Sequence, residues 1–290
     1  MRDRLGLNIH RDSWPARPLL AAYADAGFAW VQVHTPPWGM LAEPRHGLRH
    51  ARALRAELEG TGLRLLLHAP DDLSAGTPEH DRAFEGLLDH AAAAGAELVA
   101  YHGLNFADAG GPAAARLRER ARLEERSLIP LLQRAHQLGV TVAIENLAPV
   151  YPGQRRRCHD PIAVRDLVRR LDAPAAGMLL DVGHLHITAD ATRSDMAALL
   201  AACAPDVVLF HAHDNLGCRR GVDRPGVDPI KVDLHLAPGR GTLPWARVAG
   251  IVAAHPAPVM LEVEPSQRPA LGALAADALR LLAAPAAAAA

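Results

Sequence analysis

The stretch VVLFHAHDN, residues 207–215, decides the fold. Its four apolar residues read as a buried strand. They run directly into His211-Ala212-His213-Asp214. Packing alone gains nothing from two imidazoles and a carboxylate at the end of a strand, so the residues after the apolar run call for a chemical reason.

The same design recurs along the chain. The strand candidates are LGLNI (5–9), AWVQVH (29–34), LRLLLHA (63–69), LVAYHG (98–103), TVAIEN (141–146), AGMLLDVGH (176–184), VVLFHAH (207–213) and PVMLEVE (258–264). Between them lie amphipathic stretches such as LRHARALRAELEGTG, HDRAFEGLLDHAAAAGA, RSLIPLLQRAHQLG and DPIAVRDLVRRL. Gly27, Gly62, Gly95 and Gly139 sit where helices should end, and Asp160-Pro161 offers an N-cap followed by proline at the first helical position. Eight strands alternating with helices, with no linker-like break, predict an α/β fold: a single-domain (β/α)₈ TIM barrel over residues 1–282, with a low-complexity tail at 283–290. A doubly wound sheet would usually carry a Gly-rich phosphate loop after its first strand, and LGLNIHRDSW has none.

Bulk properties set bounds. The chain has 290 residues, half of them hydrophobic, and a formal charge of −1. It can bury a large core, and it has no global field to attract nucleic acid or an anionic membrane. Its three cysteines are not in CxxC spacing, which argues against a disulfide framework or a thiolate zinc site. The first residues lack an apolar targeting core, and no run approaches the 18 apolar residues of a membrane span. The expectation is a cytoplasmic protein with no membrane partner. Lys231 is the only lysine among 31 cationic residues, which fits a composition bias toward arginine.

In a barrel the chemistry collects at the carboxyl ends of the strands. Here those ends carry His10, His34, His68, His102, Glu145-Asn146, Asp181 with His184, His211 with His213, and Glu262 with Glu264. Any one alone would ordinarily bond a backbone carbonyl or pair with an arginine. Eight accidents on one face of one architecture are a poor explanation of the set. Without thiolates, mixed nitrogen and oxygen donors suit zinc, manganese, cobalt or iron(II). Three or four ligands from strands five to eight would hold one divalent ion. The histidines of strands three and four, with Asp233-Leu234-His235, are enough for more than one.

The segments HAP (68–70), YHG (101–103), IEN (144–146), LLDVGH (179–184), HAHDN (211–215), DLHLAPGRGTLPW (233–245) and MLEVE (260–264) together resemble the xylose isomerase-like TIM barrel superfamily. That group includes sugar phosphate isomerases/epimerases and the endonuclease IV (AP endonuclease family 2) proteins. For the isomerase branch the resemblance implies one metal held by Glu145, Asp181, His211 and Glu262, with His213 behind the metal or facing substrate. For the nuclease branch it implies up to three ions, with His68, His102, His184, Asp233 and His235 as further ligands. The ion is expected to be manganese, zinc, cobalt, magnesium or iron. Glu145 and Glu262 are the expected proton-moving groups, acting through an enediolate of a sugar, sugar phosphate or related α-hydroxy ketone. Loss of a β-hydroxyl from the same intermediate would make the enzyme a dehydratase of a polyol or cyclic ketol.

The remaining loops weigh against a nuclease. The segment after strand three, DDLSAGTPEHD, is acidic and would repel a phosphodiester backbone. Only NLGCRRGVDRPGVDPIK is basic; it reads as a solvated loop or as a lid carrying an arginine such as Arg219 onto an anionic group. Trp14 and Trp38, after strands one and two, are candidates to stack on a sugar ring, and Arg240 is a candidate at the mouth. The expected partner is a small sugar-like molecule and not nucleic acid; assembly into a homo-oligomer stays open.

Overall fold

The computed structural model describes residues 1–106, 112–151, 153–218 and 230–283. Eight strands, β1 (Leu5–Asn8), β2 (Trp30–His34), β3 (Arg64–His68), β4 (Ala96–Tyr101), β5 (Thr141–Glu145), β6 (Ala176–Asp181), β7 (Val207–Ala212) and β8 (Val259–Leu261), close in sequence order into one barrel. Every pairing is parallel, including β1 with β8. The outer layer holds α1 (Arg17–Asp25), α2 (Trp38–Leu41), α3 (Pro44–Leu58), α4 (Pro78–Ala94), α5 (Pro112–Leu138), α6 (Pro161–Leu171), α7 (Val182–Thr192), α8 (Met196–Cys203), α9 (Trp245–Ala254) and α10 (Leu271–Ala283). The fold is the expected (β/α)₈ barrel, and the tail from residue 284 lies outside the described residues.

The strands obey one alternation. Outward residues such as Val31, Leu65, Val99, Val142, Met178, Phe210 and Leu261 pack against the helices. Inward residues form a separate plug of Trp30, Leu66, Leu98, Ala100, Ala143, Leu179, Leu209 and Met260. Side chains two residues apart in a strand share a face and lie about 6.5 Å apart along it. Two residues beyond these plug positions come Gln32, His68, His102, Glu145, Asp181, His211 and Glu262. The pleat that buries the plug therefore stacks the polar residues directly above it. Gly6 completes the floor, because a Cβ there would lie 2.6 Å from Met260 Cε.

Local signals behave as the residues dictate. Asp160 Oδ1 accepts the Ile162 N–H at 2.9 Å and starts α6 at Pro161. Gly95 ends α4 in the left-handed region, at φ 80°. The structure corrects the reading of 176–184 as one strand. β6 stops at Asp181, whose Oδ1 accepts the His184 N–H at 2.7 Å and caps α7. That helix, with α2 and α10, carries no strong amphipathic signal in sequence or falls in segments the alternating pattern passes over.

One buried network ties the loops after β3 and β4 to α5. Tyr101 Oη donates to Glu124 Oε1 at 2.7 Å and accepts the Ala75 N–H at 3.0 Å. Both Glu124 oxygens lie 3.1 Å from the N–H of Leu104, which adopts a positive φ of 56°. His102 and Gly103 lie between the two anchors, Tyr101 and Leu104, so Glu124 helps fix the backbone that carries His102. Burial raises the Glu124 carboxyl to about 7, against the lowering effects of Tyr101, Leu104 and Arg120. An unfolded glutamate titrates near 4.5, so between about pH 4.5 and 7 the native chain holds the extra proton, and stability falls as pH rises. Glu124→Gln removes this dependence. Relative to wild type, the variant should gain on the order of 3 kcal/mol between pH 4 and pH 8. Urea unfolding across that range measures it, and a pH-independent difference would contradict a buried, proton-holding Glu124.

Candidate metal centre

Glu145 stands at the middle of the barrel mouth. It is 1% exposed and belongs to two groups of potential ligands. In the first, Glu145, Asp181, His211 and Glu262 each offer an atom within 4.8 Å of the others. In the second, His68 and His102 join Glu145. A third group is His184, His213, Asp233 and His235, and a fourth is His34, His68 and Asp71. The structure thus brings together all ten candidate ligands named from sequence.

The distances show how closely they converge. His211 Nδ1 lies 3.3 Å from Glu145 Oε1 and 3.4 Å from Glu262 Oε2. Neither contact has hydrogen-bond alignment, and both His211 nitrogens are buried with no hydrogen-bond partner. Glu145 Oε2 is likewise orphaned, 3.4 Å from His102 Nε2 and 3.7 Å from His68 Nε2. Asp233 Oδ1 is a fourth orphan. Orphaned buried donors and acceptors are costly, and divalent ions in these ligand groups would satisfy one His211 nitrogen, a Glu145 oxygen and an Asp233 oxygen.

Tautomers point the same way. His68 Nδ1 faces Ala69 O at 2.8 Å, His184 Nδ1 faces Asn146 O at 3.0 Å, and His235 Nδ1 faces Glu262 O at 2.9 Å. A carbonyl can only accept, so each Nδ1 carries a proton, and Nε2 is the nitrogen left to face a metal or a carboxylate. That is the arrangement metal-ligating histidines need. His184 Nε2 and His235 Nε2 then reach Asp233 Oδ2 at 3.4 and 3.0 Å.

The charges are equally demanding. Burial alone would raise the Glu145 pKa, but His211, His102 and His68 outweigh it and hold the carboxyl well below its ordinary value. Glu262 and Asp233 are held down in the same way, by His211 and His235 respectively. Burial would depress His211 and His184, yet Glu262 and Glu145 raise the first, and Asp181 and Asp233 the second, well above normal. The carboxylates stay ionised and draw positive charge into the mouth. A metal would supply that charge while leaving the imidazoles neutral. The donor set, with no thiolate, fits zinc, manganese, cobalt or iron(II).

The HAHDN stretch divides its roles. His211 faces the first ligand group. His213 is fully buried; its Nε2 lies 3.0 Å from Asp181 Oδ2, so it orients that carboxylate from behind. Gly183 makes room for it, since a Cβ there would lie 2.3 Å from His213 Cε1. Asp214 accepts from the backbone of Asn215, Gly239 and Leu243 and from Trp245 Nε1, clamping the 233–245 segment. Asn215 Oδ1 accepts the Leu234 N–H, which seats Asp233 and His235.

Other expected residues fall elsewhere. Trp14 turns its edge to His50 and its Nε1 toward Glu57, and Trp38 stacks on His80 while donating to Asp72; neither lines the cleft. Arg240 sits on the turn that Asp214 clamps and does not line it either. Arg219 lies outside the described residues. Sequence reasoning missed Gln32, whose Nε2 donates to Glu262 Oε1; Asn146, named with Glu145 at the end of strand five, clamps the Asp181 backbone with its side chain at 2.9 and 3.2 Å. Gln32 was findable from its place two residues after inward Trp30.

A family model described as xylose isomerase-like TIM barrel matches residues 20–284. The chain belongs to that family. No curated protein matches it. Among solved structures it is similar to a D-tagatose 3-epimerase-like protein, at 15% identity and TM-score 0.68 over 96% of both chains. It is also similar to a 3-keto-D-glucoside 4-epimerase from E. coli, at 15% identity and TM-score 0.65 over 96% of this chain and 98% of that one. A xylose isomerase domain protein from Alicyclobacillus acidocaldarius gives 19% and 0.67 over 97% and 98%. At such identities the likeness speaks to fold. Among the described residues, no helix is long and apolar enough to cross a membrane.

The purified protein should contain at least one divalent ion. Asp181→Ala or His211→Ala should lose it while circular dichroism still reports a folded barrel. Full metal occupancy in both variants, by elemental analysis, would remove the first ligand group from consideration.

Proposed function

We propose that the protein is a divalent-metal-dependent isomerase or epimerase acting on a sugar-like α-hydroxy ketone. The observation that carries this reading is the convergence of Glu145 and Glu262 on His211, at 3.3 and 3.4 Å, from β5 and the end of β8. Two ionised carboxylates thereby flank one point at the base of a polar cleft of about 770 Å³. The named functions of the structural neighbours, sugar epimerases among them, agree with it.

A divalent ion held by Glu145, Asp181, His211 and Glu262 would polarise the substrate carbonyl and stabilise the charge that develops as the neighbouring carbon loses a proton. The chain's own residues do the rest. Glu262, oriented by Gln32, is the proton acceptor on one side of the substrate. Glu145, flanked by His68 and His102, faces it from the other side. Carboxylates on opposite faces of a carbon invert it; one carboxylate serving adjacent carbons moves the carbonyl. Asn8, Asp71, Asp72 and Asn105 line the cleft above and suit the hydroxyls of a polyol.

One observation favours a second reading. Glu145 is shared by two ligand groups, and the His184, Asp233 and His235 group adjoins them. Three ions so arranged would suit phosphodiester hydrolysis. Against a nucleic-acid substrate, Asp71 and Asp72 bring negative charge to the rim, and Arg11 is tied to Asp71 at 2.7 Å.

Two measurements separate the readings. In heavy water the wild type should place deuterium on the carbon beside the carbonyl of its substrate. Glu262→Gln should slow turnover about 100-fold or more while keeping much of the metal. A substrate turned over without carbon-bound deuterium would count against the proton-transfer mechanism. Separately, incision of an abasic DNA duplex should be absent or trace at physiological salt; robust single-turnover cutting abolished by Glu145→Ala would promote the hydrolytic reading.

A further inference from the structure

The chain carries a single lysine, Lys231, among 31 cationic residues. Lys231 is half-buried and lines the cleft. The next residue, Val232, donates its N–H to Val150 O at 3.0 Å, which stitches Lys231 to the loop after β5.

That loop presents donors. Arg156 lines the same cleft and spends Nη1 on the neutral acceptors of Asn105, at 2.7 Å to Oδ1 and 3.3 Å to the carbonyl. Its Nε and Nη2 have no acceptor among the described residues, and neither Arg156 nor Lys231 is in an ion pair there. Gln154 accepts the Val150 and Tyr151 N–H groups on Oε1, at 3.2 and 3.5 Å, leaving its NH₂ as the free end. His159 accepts the Arg156 N–H on Nδ1 at 3.2 Å, so its proton is on Nε2. Both also line the cleft. The cleft lining carried by this loop and by the Lys231 segment bonded to it therefore includes a guanidinium, an ammonium, an amide NH₂ and an imidazole N–H, each with its acceptor atom already used or lacking. The Asp71 and Asp72 side offers acceptors and has its cation, Arg11, already paired.

We propose that Lys231, Arg156, Gln154 and His159 form a subsite for an oxyanion, a phosphate ester or carboxylate, on the non-reacting end of the substrate. Four donor groups, two of them cations that make no ion pair among the described residues, suit an oxyanion better than a neutral hydroxyl, which needs an acceptor as well. The assignment rests on the ketose reading above and narrows it to acidic sugars.

The test uses the full-length, metal-loaded protein and calorimetric titration with fructose, fructose 6-phosphate, fructuronate and inorganic phosphate. Fructose 6-phosphate or fructuronate should bind at least about tenfold tighter than fructose, and which of them does so identifies the oxyanion. Lys231→Met and Arg156→Gln should each reduce that ratio about fivefold or more, and should weaken inorganic phosphate. A ratio near one in the wild type, or a ratio unchanged in both variants, overturns the proposal. If no ketose binds, phosphate affinity that falls in Lys231→Met retains the subsite and removes the ketose reading. Phosphate affinity unmoved by both variants places the ion on the metal alone and overturns the subsite.

Discussion

Four buried carboxylates, Glu145, Asp181, Asp233 and Glu262, share one barrel mouth, and the rest of the site is organised around their charge. Water is largely excluded from them, so their repulsion is poorly screened. Imidazoles lie between them at 3.0–3.8 Å. A metal ion would resolve the same conflict more economically, because one divalent charge would address several carboxylates and leave histidine neutral to ligate. Breaking the set by removing one histidine leaves an uncompensated buried charge, which is why the ligands act as a unit.

The barrel turns this constraint into geometry through alternation. Each ligand on a strand sits one pleat above a plug residue: Leu66 below His68, Ala143 below Glu145, Leu179 below Asp181, Leu209 below His211. The plug keeps solvent out from beneath, and the hydrogen-bonded register keeps neighbouring ligands level. Asp181 pairs with His211, and His34 with His68. A one-residue slip in any strand would point its ligand at the helices.

Ligands outside the strands need other anchors. Asp233 and His235 belong to a segment with no regular structure, and His235 even takes a positive φ of 49°. Asp214 and Asn215 hold that segment through backbone N–H groups from residues 234 to 243. His184 is held by the capped first turn of α7. Loop ligands are thus made as definite as strand ligands, which a multi-residue centre requires.

The eight strands and the polar residues at their ends were legible in the sequence, because short apolar runs between amphipathic stretches, and the polar residues that end them, are local patterns. His68, Glu145, Asp181 and His211 could each be read from the run preceding it. What only the tertiary structure decided is how distant segments meet. The start of α7 at Val182 depends on a cap that competes with strand propensity. The aromatic rings of Trp14 and Trp38 lie on the expected loops, yet helix residues Glu57 and His80 draw them away from the cleft. Glu124 sits in a charge-rich helix, RERARLEER, where nothing marks it as the buried one. The partition of the candidate ligands into groups, two of them sharing Glu145, rests on distances between residues far apart in the chain. Such distances are set by barrel closure, which no local pattern encodes.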